Sequence, residues 1–170
     1  MIKFGSKADT LRRLEPVLTT ARVLPQLCLR AGELEPGALL ALVREAGWQN
    51  RPLIVRSSAR SEDTAENSNA GKFLSIPGVQ GEEAILQAAR QVAAAMGDDP
   101  ENQLFLQPCL ERVQLCGVAF TADPNTGGNY YILNYDKTTG STSSVTDGTG
   151  AQLETFYHFK RSPVPPPAPL

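Results

Sequence analysis

A run of strand-forming residues, PLIVRSS at positions 52–58, ends in an arginine and two serines. An arginine at the end of a buried strand presents a planar fork of donors that suits a phosphate. The small-residue run Ser68-Asn69-Ala70-Gly71 can lay backbone N–H groups over further phosphate oxygens. Together Arg56 and this loop suggest a cradle for a polyphosphate. A plainer reading also fits: Arg56 pairs with Asp63 as a structural ion pair and the loop is a solvated turn. Other reactive residue types read as structural. His158 alternates with aromatics in TFYHF, as a strand residue does and a phosphocarrier does not. Glu111 and Arg112 read as a solvated turn, and Trp48, Phe105, Tyr130 and Tyr131 as core or cover, because no basic residues interleave with them.

A chain of 170 residues has room for one ordinary domain, or two small lobes sharing a core, and not for a second catalytic domain. With 41% hydrophobic and 20% charged residues it reads as globular. The net charge of -2 and a pI near 5.5 provide no positive field for nucleic acid or anionic lipid. Cys28, Cys109 and Cys116 form no CxxC pair and have no metal-ligating company, so reduced, buried thiols are expected and no metal ligand is assigned. MIKFGSKADTL lacks the pattern of a signal peptide and no apolar run is long enough for a membrane span, which makes a cytoplasmic location the expectation.

The elements that must hold these residues are legible from periodicity. Ser6 caps a helix that begins KADTLRRL, with Pro16 near its end, and Ala21 to Pro25 reads as a short strand. Pro36 opens a second helix with Leu39, Leu42, Val43 and Ala46 on one face, and Gly47 stops it. After the 52–58 strand and the polar 57–71 stretch, KFLSIPGV resumes a strand pattern. Residues 81–96 form the clearest helix, striped by Ile85, Ala89, Val92 and Met96 and ended by Gly97. QLFLQPCL, CGVAFTAD, YYILNYD and ETFYHF then predict one antiparallel sheet, and SPVPPPAPL a loose, extended tail.

IVRSSARSEDTAENSNAGKFLSIPGV resembles a segment of the phosphoenolpyruvate synthase and pyruvate phosphate dikinase family, in which an arginine-serine-serine core leads through Glu-Asp to Ala-Gly before a strand. GVAFTADPNTGG, FGSKADTLRRL and FLQPCLERVQLCGVAF are similar to three further family segments, in the family's order, from residue 4 to about 135. The resemblance implies an α+β, ATP-grasp-like fold: a helix and strand lobe over 1–50, a nucleotide-binding antiparallel sheet lobe with one long covering helix over 51–160, and a proline-rich tail or linker over 161–170. It implies that Lys7 contacts nucleotide phosphate and that Arg56, beside Ser57, Ser58 and Asp63, holds the transferring phosphoryl groups; these two basic residues are the catalytic candidates. Ser68, Asn69, Ala70, Gly71 and Lys72 would form a flap over the phosphates. Gln107, Pro108, Cys109 and Leu110 would line the hinge that receives adenine. Thr121 and Asp123 would lie at the end of a core strand, where contact with ligand and hydrogen bonding to the 124–128 turn are both open.

The chain departs from the family after YYILNYD, continuing as KTTGSTSSVTDGTG where the dikinases carry a glycine-leucine-glycine-glutamate run. The expectation is an ATP-binding portion of a longer phosphotransferase that works through a phosphohistidine, with ATP and magnesium as cofactors in the full-length parent and little turnover alone. Its partners would be ATP and the parent's downstream phosphohistidine and pyruvate domains, with a homodimer possible through an exposed strand edge. The alternatives are the ATP-binding part of an enzyme like the rifamycin phosphotransferases or water dikinases, or a non-catalytic nucleotide-binding or interaction module.

Overall fold

The computed structural model describes residues 5–59, 74–140, 142, 144–145 and 153–166. It divides into two compact units, residues 1–109 and 110–170. The fold is α+β, with two antiparallel sheets and three helices among the described residues. None of those helices is long and apolar enough to cross a membrane.

The first unit is built on a four-stranded sheet of β1 (Leu27–Arg30), β2 (Leu53–Ser58), β3 (Ser75–Val79) and β4 (Gln103–Pro108), in the order β1-β4-β2-β3. Strand alternation gives the sheet two faces. Leu53, Val55, Leu104 and Leu106 turn to one face and join a single core with Leu39 and Val43 of α2 (Pro36–Glu45) and Ile85, Ala89 and Val92 of α3 (Glu82–Ala95). The heptad-like stripe in α3 is thus the surface that covers the sheet. Helix α2 ends in a Schellman motif: the Gly47 N–H donates to the Arg44 carbonyl and the Trp48 N–H to the Val43 carbonyl, both at 2.9 Å. Gly47 takes the left-handed φ of 70° that this motif needs, and Trp48 is drawn into the core. β3 carries Pro77 because it is an edge strand, where a missing N–H leaves no ladder bond unmade. Its register against β2 slips by one residue between Leu53 and Val55, a bulge accommodated by Gly78 at φ 72°.

Two expectations are corrected. The strand expected over 21–25 forms at Leu27–Arg30 instead, since Pro25 has no N–H to give to a ladder and pairing with β4 starts after it. The four strand candidates of the back half do not make one sheet. QLFLQP pairs with β1 and β2, while β5 (Cys116–Phe120), β6 (Tyr130–Asp136) and β7 (Glu154–Phe159) make a separate three-stranded sheet in the second unit. β4 is buried on both faces, which suits the centre of the larger sheet.

Leu39 is fully buried between α2 and the sheet, so Leu39→Ala removes core contacts with no smaller residue to fill the gap. Urea unfolding followed by the fluorescence of Trp48, the only tryptophan, should show a loss of about 2–5 kcal/mol.

Candidate functional site

The site begins with the face of the first sheet opposite its main core. Along β2, Ile54, Arg56 and Ser58 turn to this second face, and in the ladder they stand opposite Gln107, Phe105 and Gln103 of β4. Phe105 is fully buried there. Adjacent strand residues point to opposite faces, so Ser57 and Ser58 do not present their hydroxyls to the same side. Ser57 lies on the core side, buried, and its Oγ has no hydrogen-bond partner among the described residues. Only Ser58 shares the face of Arg56.

Helix α1 (Lys7–Leu14) meets that face at the strand's end. Ala8, fully buried, donates its N–H to Ser58 Oγ at 2.9 Å, and its carbonyl accepts from Gln26 Nε2 at 2.8 Å. Ser6 caps the helix by accepting from the Asp9 N–H at 3.4 Å, while Thr10 donates to the Ser6 carbonyl at 2.8 Å. The N–H groups of Ala8, Asp9 and Thr10 are therefore used inside the protein. The amides of Ala8, Asp9 and Thr10 are thus not open to an external anion. Two basic residues flank this junction in the chain: Lys7 is the first helical residue, next to Ala8, and Arg56 is two residues from Ser58 on the same face, about 7 Å along the strand. Both are half-buried.

The remaining candidates fall into three groups. Asp63, Ser68, Asn69, Ala70, Gly71 and Lys72 lie outside the described residues. Gln107 is buried on the Arg56 face, where its Nε2 donates to the Leu24 carbonyl at 3.2 Å and pins the segment leading into β1. Pro108 is buried opposite Leu53, and Cys109 donates its N–H to the Pro52 carbonyl at 2.8 Å. The boundary between the units falls directly after Cys109, so Leu110, exposed, opens the second unit. Thr121 is exposed in the bend that follows β5. Asp123 forms an Asx-type turn: its carboxylate accepts from the Asn125 N–H at 2.9 Å and the Thr126 hydroxyl at 2.8 Å, which holds its pKa below the usual carboxylate range. The three cysteines are free and half-buried. His158 lies in β7 with its ring stacked on Phe156, centroids 6.3 Å apart. Tyr130 and Tyr131 are exposed, so neither is core.

One polar cluster escaped the sequence reading. Asp136, buried at the end of β6, accepts from the Ser144 hydroxyl at 2.5 Å, the Thr139 hydroxyl, the Thr138 N–H at 2.8 Å and hydroxyl at 2.9 Å, and the Thr139 N–H at 3.1 Å. Led by the Ser144 hydroxyl, these donors favour the charged carboxylate and push its pKa far below the ordinary range. The bonds tie the turn that leaves β6 to this one carboxylate. The signal for it was present in Asp136-Lys137-Thr138-Thr139, hydroxyls placed two and three residues after an aspartate.

Two outcomes follow from this geometry. Ser58→Ala strands the buried Ala8 N–H, and should cost about 1–3 kcal/mol in urea unfolding with faster hydrogen exchange at the Ala8 amide. For Asp136 the folded pKa is depressed, so its stabilisation is complete above the unfolded carboxyl's value of about 3.9 and is lost as pH falls. NMR of the Thr138 and Thr139 amides should show the turn opening in acid, and Asp136→Asn should remove that pH dependence.

Residues 37–100 match the family model described as pyruvate phosphate dikinase, AMP/ATP-binding domain. No curated protein matches the chain. The matched stretch runs from α2 through α3 and contains β2 with Arg56, Ser57 and Ser58; Lys7 and the second unit lie outside it. Over that stretch the chain is similar to the AMP/ATP-binding domain of pyruvate phosphate dikinase.

Proposed function

We propose that this chain is the ATP-binding portion of a phosphotransferase resembling phosphoenolpyruvate synthase, with an ATP-grasp arrangement of its nucleotide site. The triphosphate would lie over the end of β2, where the Arg56 guanidinium supplies a planar donor fork and Lys7 a second positive charge. By the resemblance, residues 68–72 would contact the phosphates and Gln107 the adenine. Transfer of a phosphoryl group spreads negative charge over oxygens, so the contribution of these side chains is positioning and charge stabilisation rather than covalent chemistry.

What supports the reading is the Ala8 to Ser58 hydrogen bond: it fastens the helix that starts at Lys7 to the strand that carries Arg56, and that strand lies inside the stretch related to the dikinases. Among the described residues, no three Asp, Glu, His or Cys side chains gather to hold a metal ion. Magnesium is assigned no ligand among the described residues, and no step is derived through it. In the parent enzyme the phosphoryl group would pass through a phosphohistidine on another domain.

Calorimetry with ATP, in the presence and absence of magnesium, tests the proposal directly. Binding should be measurable, and ATP should raise the melting temperature by mass action. Arg56→Ala should abolish that rise and Lys7→Ala should weaken binding about tenfold, the loss of one charge-assisted contact. Absence of any heat at millimolar ATP would defeat the reading. Unfolding of the Arg56 variant would assign that guanidinium an internal structural role instead.

A further inference from the structure

The outer edge of the second unit's sheet carries a pattern that matches itself. Among the described residues β7 has one strand neighbour, β6. The Lys160 N–H donates to the Asn129 carbonyl at 3.0 Å, continuing the β6–β7 register in which Phe159 stands opposite Tyr130. Hydrogen bonding alternates along an antiparallel strand, so Glu154, Phe156, His158 and Lys160 turn their main-chain groups toward β6. Thr155, Tyr157 and Phe159 turn theirs to the outside. Their side chains share one face, on which Tyr157 is 61% and Phe159 43% exposed. Proline, lysine and inward-pointing charge, by which soluble proteins discourage edge pairing, are missing from the interior of this strand.

We propose that this edge pairs with the same edge of a second copy of the chain, antiparallel about Tyr157, with Glu154 set against the partner's Lys160. Outward-facing groups can bond only to outward-facing groups, which restricts the register to Thr155, Tyr157 and Phe159 meeting one another. Centring on Tyr157 pairs the whole strand, brings Thr155 opposite the partner's Phe159, and by two-fold symmetry forms the Glu154 to Lys160 pair twice. The next permitted registers set Glu154 against His158 or Ser162 and lose both ion pairs. Glu154 is already fixed in direction, accepting from Tyr135 Oη at 2.8 Å and pairing with Lys137 Nζ at 2.6 Å. The Lys160 ammonium sits 5.1 Å from the centre of the Tyr131 ring, on the face of the sheet that carries Glu154. The Phe159 carbonyl also accepts from the Ser162 N–H at 2.9 Å, so the Tyr157 bonds at the axis are the least shared.

Sedimentation of the full chain from micromolar to millimolar concentration should show a monomer–dimer equilibrium. Over the same range, hydrogen exchange at the Thr155 and Tyr157 amides should slow, while Phe156 and His158 stay unchanged. Lys160→Glu and Glu154→Lys, each alone, place like charges opposite each other at both ends and should weaken the dimer about tenfold. Mixing the two variants should restore association, because the charges then alternate across the pair. A chain that stays monomeric at millimolar concentration overturns the proposal. So does a dimer in which the Thr155 and Tyr157 amides do not respond, or a mixture that associates no better than either variant by itself.

Discussion

The N–H of Ala8 finds its partner far from its own element. It belongs to the first turn of α1, where no intrahelical acceptor exists, and it is fully buried, where water cannot serve. Ser58 Oγ, fifty residues further along the chain, takes it. A helix of eight residues is too short to persist in water by itself, so α1 owes its existence to being docked. The Ser58 hydroxyl, the Ser6 cap and the Gln26 bond to the Ala8 carbonyl are the polar terms that fix it in register on the sheet. The position of Lys7 relative to the strand bearing Arg56 rests on the same contacts. A small displacement of α1 would leave the dominant apolar core untouched and still break the Ala8 to Ser58 bond.

The two units solve the problem of stability in different ways. The first buries an apolar sheet face under α2 and α3, with Leu53, Val55, Leu104 and Leu106 completely covered. Its gain is mostly the hydrophobic effect, summed over many contacts. Among the described residues the second unit has no covering helix, and Tyr130, Tyr131, Tyr157 and Phe159 remain substantially exposed. Three strands with a partly apolar surface are near the lower limit of independent stability. There the polar cluster around Asp136 matters more, because it ties the chain leaving β6 to Thr138, Thr139 and Ser144 through donors that keep the carboxylate charged. An exposed aromatic edge is the corresponding liability, and also the opportunity for association.

The sequence alone determined the local elements. Ser6 and Pro36 announced helix starts, Gly47 and Gly97 helix ends, and the stripe of Ile85, Ala89 and Val92 the covering face of α3, because capping, φ restriction and 3.6-residue periodicity act over a few neighbours. The arginine-serine-serine motif and its similarity to the dikinases were legible for the same reason: the residues are contiguous in the chain. The tertiary structure decided what depends on partners far apart in sequence. It moved the first strand to Leu27–Arg30, assigned QLFLQP to the front sheet, separated the hydroxyls of Ser57 and Ser58 onto opposite faces, and committed the first amides of α1 to internal acceptors. A strand's periodicity states that it has two faces but not which neighbour it will meet. That choice is made by pairing and burial across the whole unit, which no local pattern encodes.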